Sequence, residues 1–240
     1  MAIIGANEGV VERPGARDPR SSSDEPSLRQ TVYEGLRHEL ITGKIAPGVA
    51  ISTRGFAQQL GVSQMPVRDA LGRLAAEGAV EIRSKRAIMV PVMTRARLEE
   101  IMHCRLLLEP AAAVNALEHV DAERLKAIRA ADAKTDEALR VGDVNAYMES
   151  NFAFHSLIYR ASPMETLNRM IETLWMQFGP FMRVVYGRFG TANLVDQHLA
   201  ATDAIAAGDA DRLRRAIADD IRDGMNLIRE SEFGRRALGE

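Results

Sequence analysis

From Leu28 to Ile41 apolar residues fall at 28, 32, 36, 40 and 41, the spacing of one helical face, and Gly43 follows where such a helix would stop. Pro47-Gly48 then signals a turn. The segment RGFAQQL predicts a second, short helix, with Thr53 placed to cap it and Gly61 to end it. In GVSQMPVRDAL, Ser63 stands at a cap position. Val67, Ala70, Leu71 and Leu74 share one face of the helix that follows, whereas Gln64, Met65 and Arg68 lie on the other, near its start. Gly78 terminates it, and AVEIRSKRAIMVPV reads as two short strands around a basic turn.

Helix, helix, tight turn, helix and basic hairpin, in that order, predict a winged helix-turn-helix over residues 27–94. Its third helix buries one face and offers its first turn to a DNA major groove, which admits a helix end. From residue 95 the pattern is helical to the end, with spans at 95–117, 121–141, 143–161, 163–186, 191–207 and 209–231. Asp121, Asp143 and Asp209 occupy cap positions, and Gly142 and Gly208 punctuate two boundaries. Six helices with short connections predict an antiparallel bundle over 95–232. Residues 1–26, rich in Gly, Pro, Ser and charge, and residues 233–240 read as tails. The fold class is therefore mainly α.

Composition sharpens this reading only in places. Hydrophobic residues make up 46% of the chain, enough for a sizeable core, and aromatics only 5%. The single cysteine, Cys104, excludes an intramolecular disulfide and suits a reducing compartment. With no apolar run of about eighteen residues or more and no signal-like leader, the expectation is a cytoplasmic protein without membrane association. The formal net charge of −2 conceals a division: residues 27–94 carry nine Lys/Arg against five Asp/Glu, and the rest of the chain is acidic. A basic front half is compatible with binding an anion.

In the second half, polar groups sit on apolar stripes. Arg105 lies amid Leu98, Ile101, Met102, Leu108 and Ala112; Asn151 and His155 accompany Tyr147, Phe154 and Ile158. His198 falls among Leu194, Ala201 and Ile205, and Asp220 among Leu213, Ile217, Gly224 and Leu227. Burying such groups unpartnered costs roughly 2–7 kcal/mol each even when neutral, so they must meet one another, water, a metal or a ligand. Asn151 and His155 are spaced to reach one point. With His198 and Asp220 they make a first-row metal set of two imidazoles, a carboxylate and an amide oxygen. The plainer alternatives are histidines bonded to a carboxylate or carbonyl, and an Arg105 paired with Glu109 one turn on. Trp175 can edge a cavity, whereas His38, His103, His119 and Cys104 suggest no role.

Residues 28–231 resemble a GntR-family transcriptional regulator of the FadR type with an FCD ligand-binding domain. The resemblance is carried by VYEGLRHELITGKIAPGVAI, FAQQLGVSQMPVRDALGRLAAEGAVEI and the MVPVMT wing, and in the second half by RLLLEPAAA, NFAFHSLIYRAS and DQHLAATDAIAAGDADRLRRAIADDI. It implies a homodimeric repressor or activator on an inverted-repeat operator of double-stranded DNA. Its helical domain would bind a small organic or sugar acid. DNA contacts would come from Arg54, Ser63, Gln64, Met65 and Arg68 and from the wing around Arg86, with Arg83 and Lys85 beside it on phosphates. The family usually has arginine at the position of Gln64, a small hydroxyl residue at Met65 and glycine at Ala87. Glutamine reads adenine rather than guanine, so an altered base preference is expected there. The family's metal set, an Asp and three His, becomes Asn151, His155, His198 and Asp220. These are expected to hold a divalent metal with a shift from Zn²⁺ or Ni²⁺ toward Mn²⁺ or Mg²⁺. A metal-free alternative has Arg105 fork onto an effector carboxylate while Asn151, His155, His198 and Asp220 bond the rest of it. The linker Pro91–Arg97 is the expected transmission element. Rival readings are a metal-dependent helical-bundle enzyme, which lacks a nucleophile-base constellation, and a constitutive dimeric DNA-binding protein.

Overall fold

A computed structural model describes residues 27–84, 87–189 and 197–230. The expected tails, Leu194 and two wing residues, Lys85 and Arg86, lie outside the described residues. The front half runs α1 (Leu28–Ile41), α2 (Thr53–Gln59), α3 (Gln64–Ala76), β1 (Glu81–Ser84) and β2 (Ala87–Met89). The rest runs α4 (Arg95–Ala116), a 3₁₀ turn at Leu117–His119, α5 (Ala122–Val141), α6 (Val144–Tyr159), α7 (Glu165–Phe189), α8 (Gln197–Ala207) and α9 (Ala210–Glu230).

Helices α1 and α3 bury the stripes that the sequence sets on them: Val32, Leu36 and Leu40 from one, Val67, Ala70, Leu71 and Leu74 from the other, each at most 3% exposed. Gly61, at φ +65°, makes the sharp turn between α2 and α3, a left-handed conformation that other residues adopt only at a cost. The wing pairs antiparallel, Ile82 opposite Ile88 and Ser84 opposite Ala87, and the chain after α1 joins it through Ala50 opposite Met89.

Two caps differ from expectation. Ser52, not Thr53, caps α2, its hydroxyl accepting from the Gly55 amide at 3.0 Å. Ser63 stands at the N-cap of α3 but makes no side-chain bond to the helix. The reason is local: a capping hydroxyl accepts from the second or third helical amide, and the third here is Pro66, which has no N–H. Asp121, Asp143 and Asp209 cap as expected, accepting from Arg124, Ala146 and Arg212 at 2.7–3.0 Å.

In the bundle, α5 lies against α6, α9 against both α4 and α8, and α7 against α4. Helix α7 is also the neighbour of α1, so it touches both halves of the molecule. Helices α4 and α7 each contain an interior proline, Pro110 and Pro180.

Candidate functional site: the cavity of the bundle and the exposed face of the third helix

The inward polar residues do converge. Arg105, Asn151, His155 and Asp220 line one small cavity of about 20 Å³, walled by Tyr147, Trp175, Phe178, Met182 and Tyr186. His155 is 1% exposed and Asn151 6%, and α6 brings both to the wall because they are one turn apart. His198 reaches the same place from α8, its ring stacked on Phe154 at 3.8 Å between centroids. Asp220 of α9 lies between the two imidazoles, 3.3 Å from His155 Nε2 and 3.7 Å from His198 Nε2. Donor atoms of His155, His198 and Asp220 all fall within 4.8 Å of one another.

The far nitrogens of both rings are held. His155 Nδ1 bonds the Tyr159 hydroxyl at 3.0 Å, and His198 Nδ1 bonds Asp132 at 3.0 Å. Such outer partners fix ring orientation and leave the other nitrogen directed at a common point, as in metal-binding histidines. Burial alone would raise the Asp220 carboxyl. The hydrogen bond from His155, with the charges of His155, His198 and Arg105, overrides it and holds the group at about 2. Asp220 is therefore a carboxylate at any physiological pH.

Arg105 departs from one expectation. Its Nε and Nη2 donate to Glu109 at 2.5 and 3.3 Å, so the fork meant for an effector carboxylate is already closed on a residue of its own helix. Burial opposes the guanidinium charge, yet Glu109 more than compensates and holds it charged. Glu109 is itself fully buried and also accepts from Tyr159 at 2.9 Å and Trp175 at 3.3 Å. Burial, and then neighbouring negative charge, raises the phenols of Tyr147 and Tyr159 far above their usual range, so both remain O–H donors. Tyr147 and Tyr186 stack at 4.9 Å along one wall.

Sequence reasoning missed Asp132, Tyr159 and Tyr186. Asp132 was legible in principle, since it interrupts the apolar face of α5 formed by Ile128, Ala131, Thr135 and Ala138. Tyr159 and Tyr186 carried no such signal, because an aromatic residue on an apolar stripe looks like ordinary packing. His38 proves less idle than it reads: it pairs with Glu149 of α6 at 2.8 Å, beside Lys44 on the same carboxylate.

At the other end, Arg54, Ser63, Gln64, Met65, Arg68 and Arg83 are all exposed. Met65 is 61% exposed, unusual for a large apolar side chain in a helix whose other face is buried. Arg83 shares its charge with Glu81 of the same strand at 3.1 Å. Arg54 and Arg68 make no ion pair among the described residues.

Residues 28–90 match the family described as bacterial regulatory proteins, gntR family, and residues 100–223 match the FCD domain. The chain belongs to the GntR family and carries an FCD domain. Among GntR regulators it is similar to the HTH-type transcriptional regulator McbR of Escherichia coli strain K12, 30% identical over 84% of this chain and 93% of that protein. The solved structure of E. coli McbR/YncC superposes with a TM-score of 0.79 over 85% of this chain and 97% of that one. A GntR regulator from Rhodococcus sp. RHA1 shares the fold at 23% identity, with a TM-score of 0.69 over 86% of this chain and all of that one. The HTH-type transcriptional repressor RspR of E. coli strain K12 is 24% identical over 85% of this chain and 90% of its own length. This GntR protein is thus a DNA-binding transcriptional regulator with a ligand-binding helical domain, and not an enzyme. None of its described helices is long and apolar enough to cross a membrane.

Proposed function

We propose that this GntR regulator is a cytoplasmic, homodimeric repressor. In this reading its winged domains, divided from the bundle near residue 94, grip the two half-sites of an inverted repeat, and its bundle responds to a small carboxylate effector held together with a divalent metal. The observation that carries the sensor half is the meeting of His155 Nε2, His198 Nε2 and Asp220 at one point, with both far nitrogens tied back to Tyr159 and Asp132. Asn151, on the same cavity wall, adds an amide oxygen. Two imidazoles and two oxygens suit a first-row divalent ion, and exchanging an imidazole for oxygen narrows the gap between Zn²⁺ or Ni²⁺ and the harder Mn²⁺ or Mg²⁺.

Charge favours the pairing of metal with acid. Arg105 and Glu109 cancel, and the imidazoles must be neutral to ligate, so Asp220, with Asp132 behind His198, leaves the site negative and hostile to an anionic guest. A divalent ion offsets that charge and offers open coordination positions to carboxylate oxygens. Effector binding is expected to require metal for this reason. Calorimetric titration of chelator-treated protein with Mn²⁺ and Zn²⁺ tests the site: one ion per chain should bind, and His155→Ala should abolish it. Asp132→Asn, which loosens the His198 ring without removing a ligand, is expected to weaken binding about 10–100-fold. Absence of uptake by the unaltered chain would overturn the metal reading.

On the DNA side, the proposed contacts divide by chemistry. Arg54, Arg68 and Arg83, with Lys85 and Arg86 of the wing tip and the Ser63 hydroxyl, hold phosphates, a term that weakens as salt rises. Gln64 reads an adenine edge and Met65 lies against a thymine methyl. Against a duplex selected from a random pool, Gln64→Ala should cost about 1–3 kcal/mol and flatten the preference at one base step. A guanine preference at that step that survives the substitution would refute the assignment.

A further inference from the structure

Helix α7 has two occupied faces. One presents Trp175, Phe178, Met182 and Tyr186 to the cavity. The other receives the winged domain at unusually close range. A Cβ on Gly179 would lie 2.2 Å from the Ile41 carbonyl oxygen and 2.6 Å from that of Leu40, the last residues of α1. Only glycine lets the two backbones approach this closely. From the winged side, Gly43, at φ +68°, faces the Gly179 carbonyl and Arg183, its notional Cβ 2.7 and 2.6 Å away. Next along, Gln177 donates to the carbonyl of Glu77, the residue that ends α3, at 3.0 Å and accepts from Arg97.

An ion cluster around one buried carboxylate ties the same surfaces. Glu172 of α7, 7% exposed, bonds Arg37 of α1 and Arg160 at the end of α6. Arg160 directly follows Tyr159, which joins His155 Nδ1 to Glu109. The end of α6 and the first half of the cavity helix α7 therefore meet at the carboxylate that holds α1.

Pro180 adds compliance at the contact. Lacking an N–H, it leaves the Met176 carbonyl without its helical donor, and an interior proline is where helices bend. The weakened point sits beside Gly179, between Trp175 and Phe178 on one side and Met182 and Tyr186 on the other, all of which line the cavity.

We propose that α7 is the lever by which an occupied cavity repositions the winged domain, pivoting at the Gly179 seam and tethered by Arg37–Glu172–Arg160, rather than the Pro91–Arg97 linker alone. The inference rests on the reading that the cavity is the sensor site. Allosteric force must pass through an element that both sites bias, and α7 is packed against both.

Amide hydrogen exchange on the full chain tests it at residues 36–44, the end of α1. Two stimuli are used: Zn²⁺, and Gly224→Ala, whose Cβ would stand 2.9 Å from the Tyr186 hydroxyl and so pushes α7 from inside the cavity without metal. Each should change exchange at 36–44 by at least about fivefold, the lower end of coupling between sites. Gly179→Ala or Glu172→Gln should suppress that response while leaving Zn²⁺ uptake unchanged. Met182→Ala replaces Gly224→Ala if the latter does not fold. Zn²⁺ that binds without altering residues 36–44, together with a silent cavity variant, overturns the lever and leaves the sensor reading intact. Failure to take up either Zn²⁺ or Mn²⁺ removes the metal reading instead, and the cavity variant then decides the lever by itself.

Discussion

Glu109→Ala is expected to destabilise the protein by about 3–5 kcal/mol, because it strands a buried guanidinium. Arg105 is 3% exposed and Glu109 is fully buried, and the carboxylate also serves the Tyr159 hydroxyl and the Trp175 indole. Removing it leaves four buried donor groups on three side chains unanswered. Urea denaturation reads the loss as a lower midpoint at unchanged slope. Glu109→Gln should fall between, since an amide oxygen still accepts from Tyr159 but cannot neutralise Arg105. The double variant Arg105→Met, Glu109→Leu should recover most of the loss, as apolar residues of similar volume commonly replace a buried pair without penalty. A cost for Glu109→Ala below about 1 kcal/mol, the level of an exposed ion pair, would mean that water reaches the pair.

Trp175→Ala should cost a similar amount, about 3–5 kcal/mol, for a different reason. Trp175 is 1% exposed and forms a partition. On one side lies the cavity of the bundle; on the other a second, smaller void of about 10 Å³ lies among Phe152, Tyr159, Asn168 and Glu172. His155 borders both. The indole also stacks under the Arg105 guanidinium at 4.8 Å and meets Phe152 edge-on at 5.4 Å. Truncation joins the two chambers into a space the size of the lost ring. Free indole should then refill it, raising the melting temperature of the variant and not of the parent. At about a hundredfold excess over its dissociation constant the gain is about 2.7 kcal/mol. Equal stabilisation of both proteins by indole would show that it binds elsewhere.

The front half was legible almost residue by residue, because its helices bury single stripes and its turns use glycine. Val67, Ala70, Leu71 and Leu74 point inward as their spacing requires, and Gln64, Met65 and Arg68 point out. The Ser63 cap was misread because the rule concerns the residue at the cap, whereas the outcome depends on Pro66 three positions later. Helix spans in the bundle agree with expectation to within a few residues, apart from the start of α8, where residues 190–196 lie outside the described ones. The inward direction of Asn151, His155, His198 and Asp220 was legible from periodicity. Their mutual distances were not, since those depend on how four helices are packed. Arg105 shows the limit most clearly: the same spacing that turns it inward also places Glu109 one turn away, and periodicity alone cannot say whether a partner or a guest takes the guanidinium fork. The role of α7 was hidden altogether, because Gly179 reads as a helix-weakening residue until the end of α1 is seen lying against it.

The Ser63–Pro66 arrangement also bears on how α3 behaves off and on a duplex. The leading amides of this helix are answered neither by a side-chain oxygen nor by an earlier turn, so its first turn stands electrically unfinished in water. Were the phosphate proposed for the Ser63 hydroxyl also to meet these amides, its oxygen would supply the missing acceptor, and the nucleic acid itself would complete the helix that inspects it. The firmness of that first turn then becomes a property of the complex, present where the backbone lies at the right height and lost wherever the protein drifts out of register.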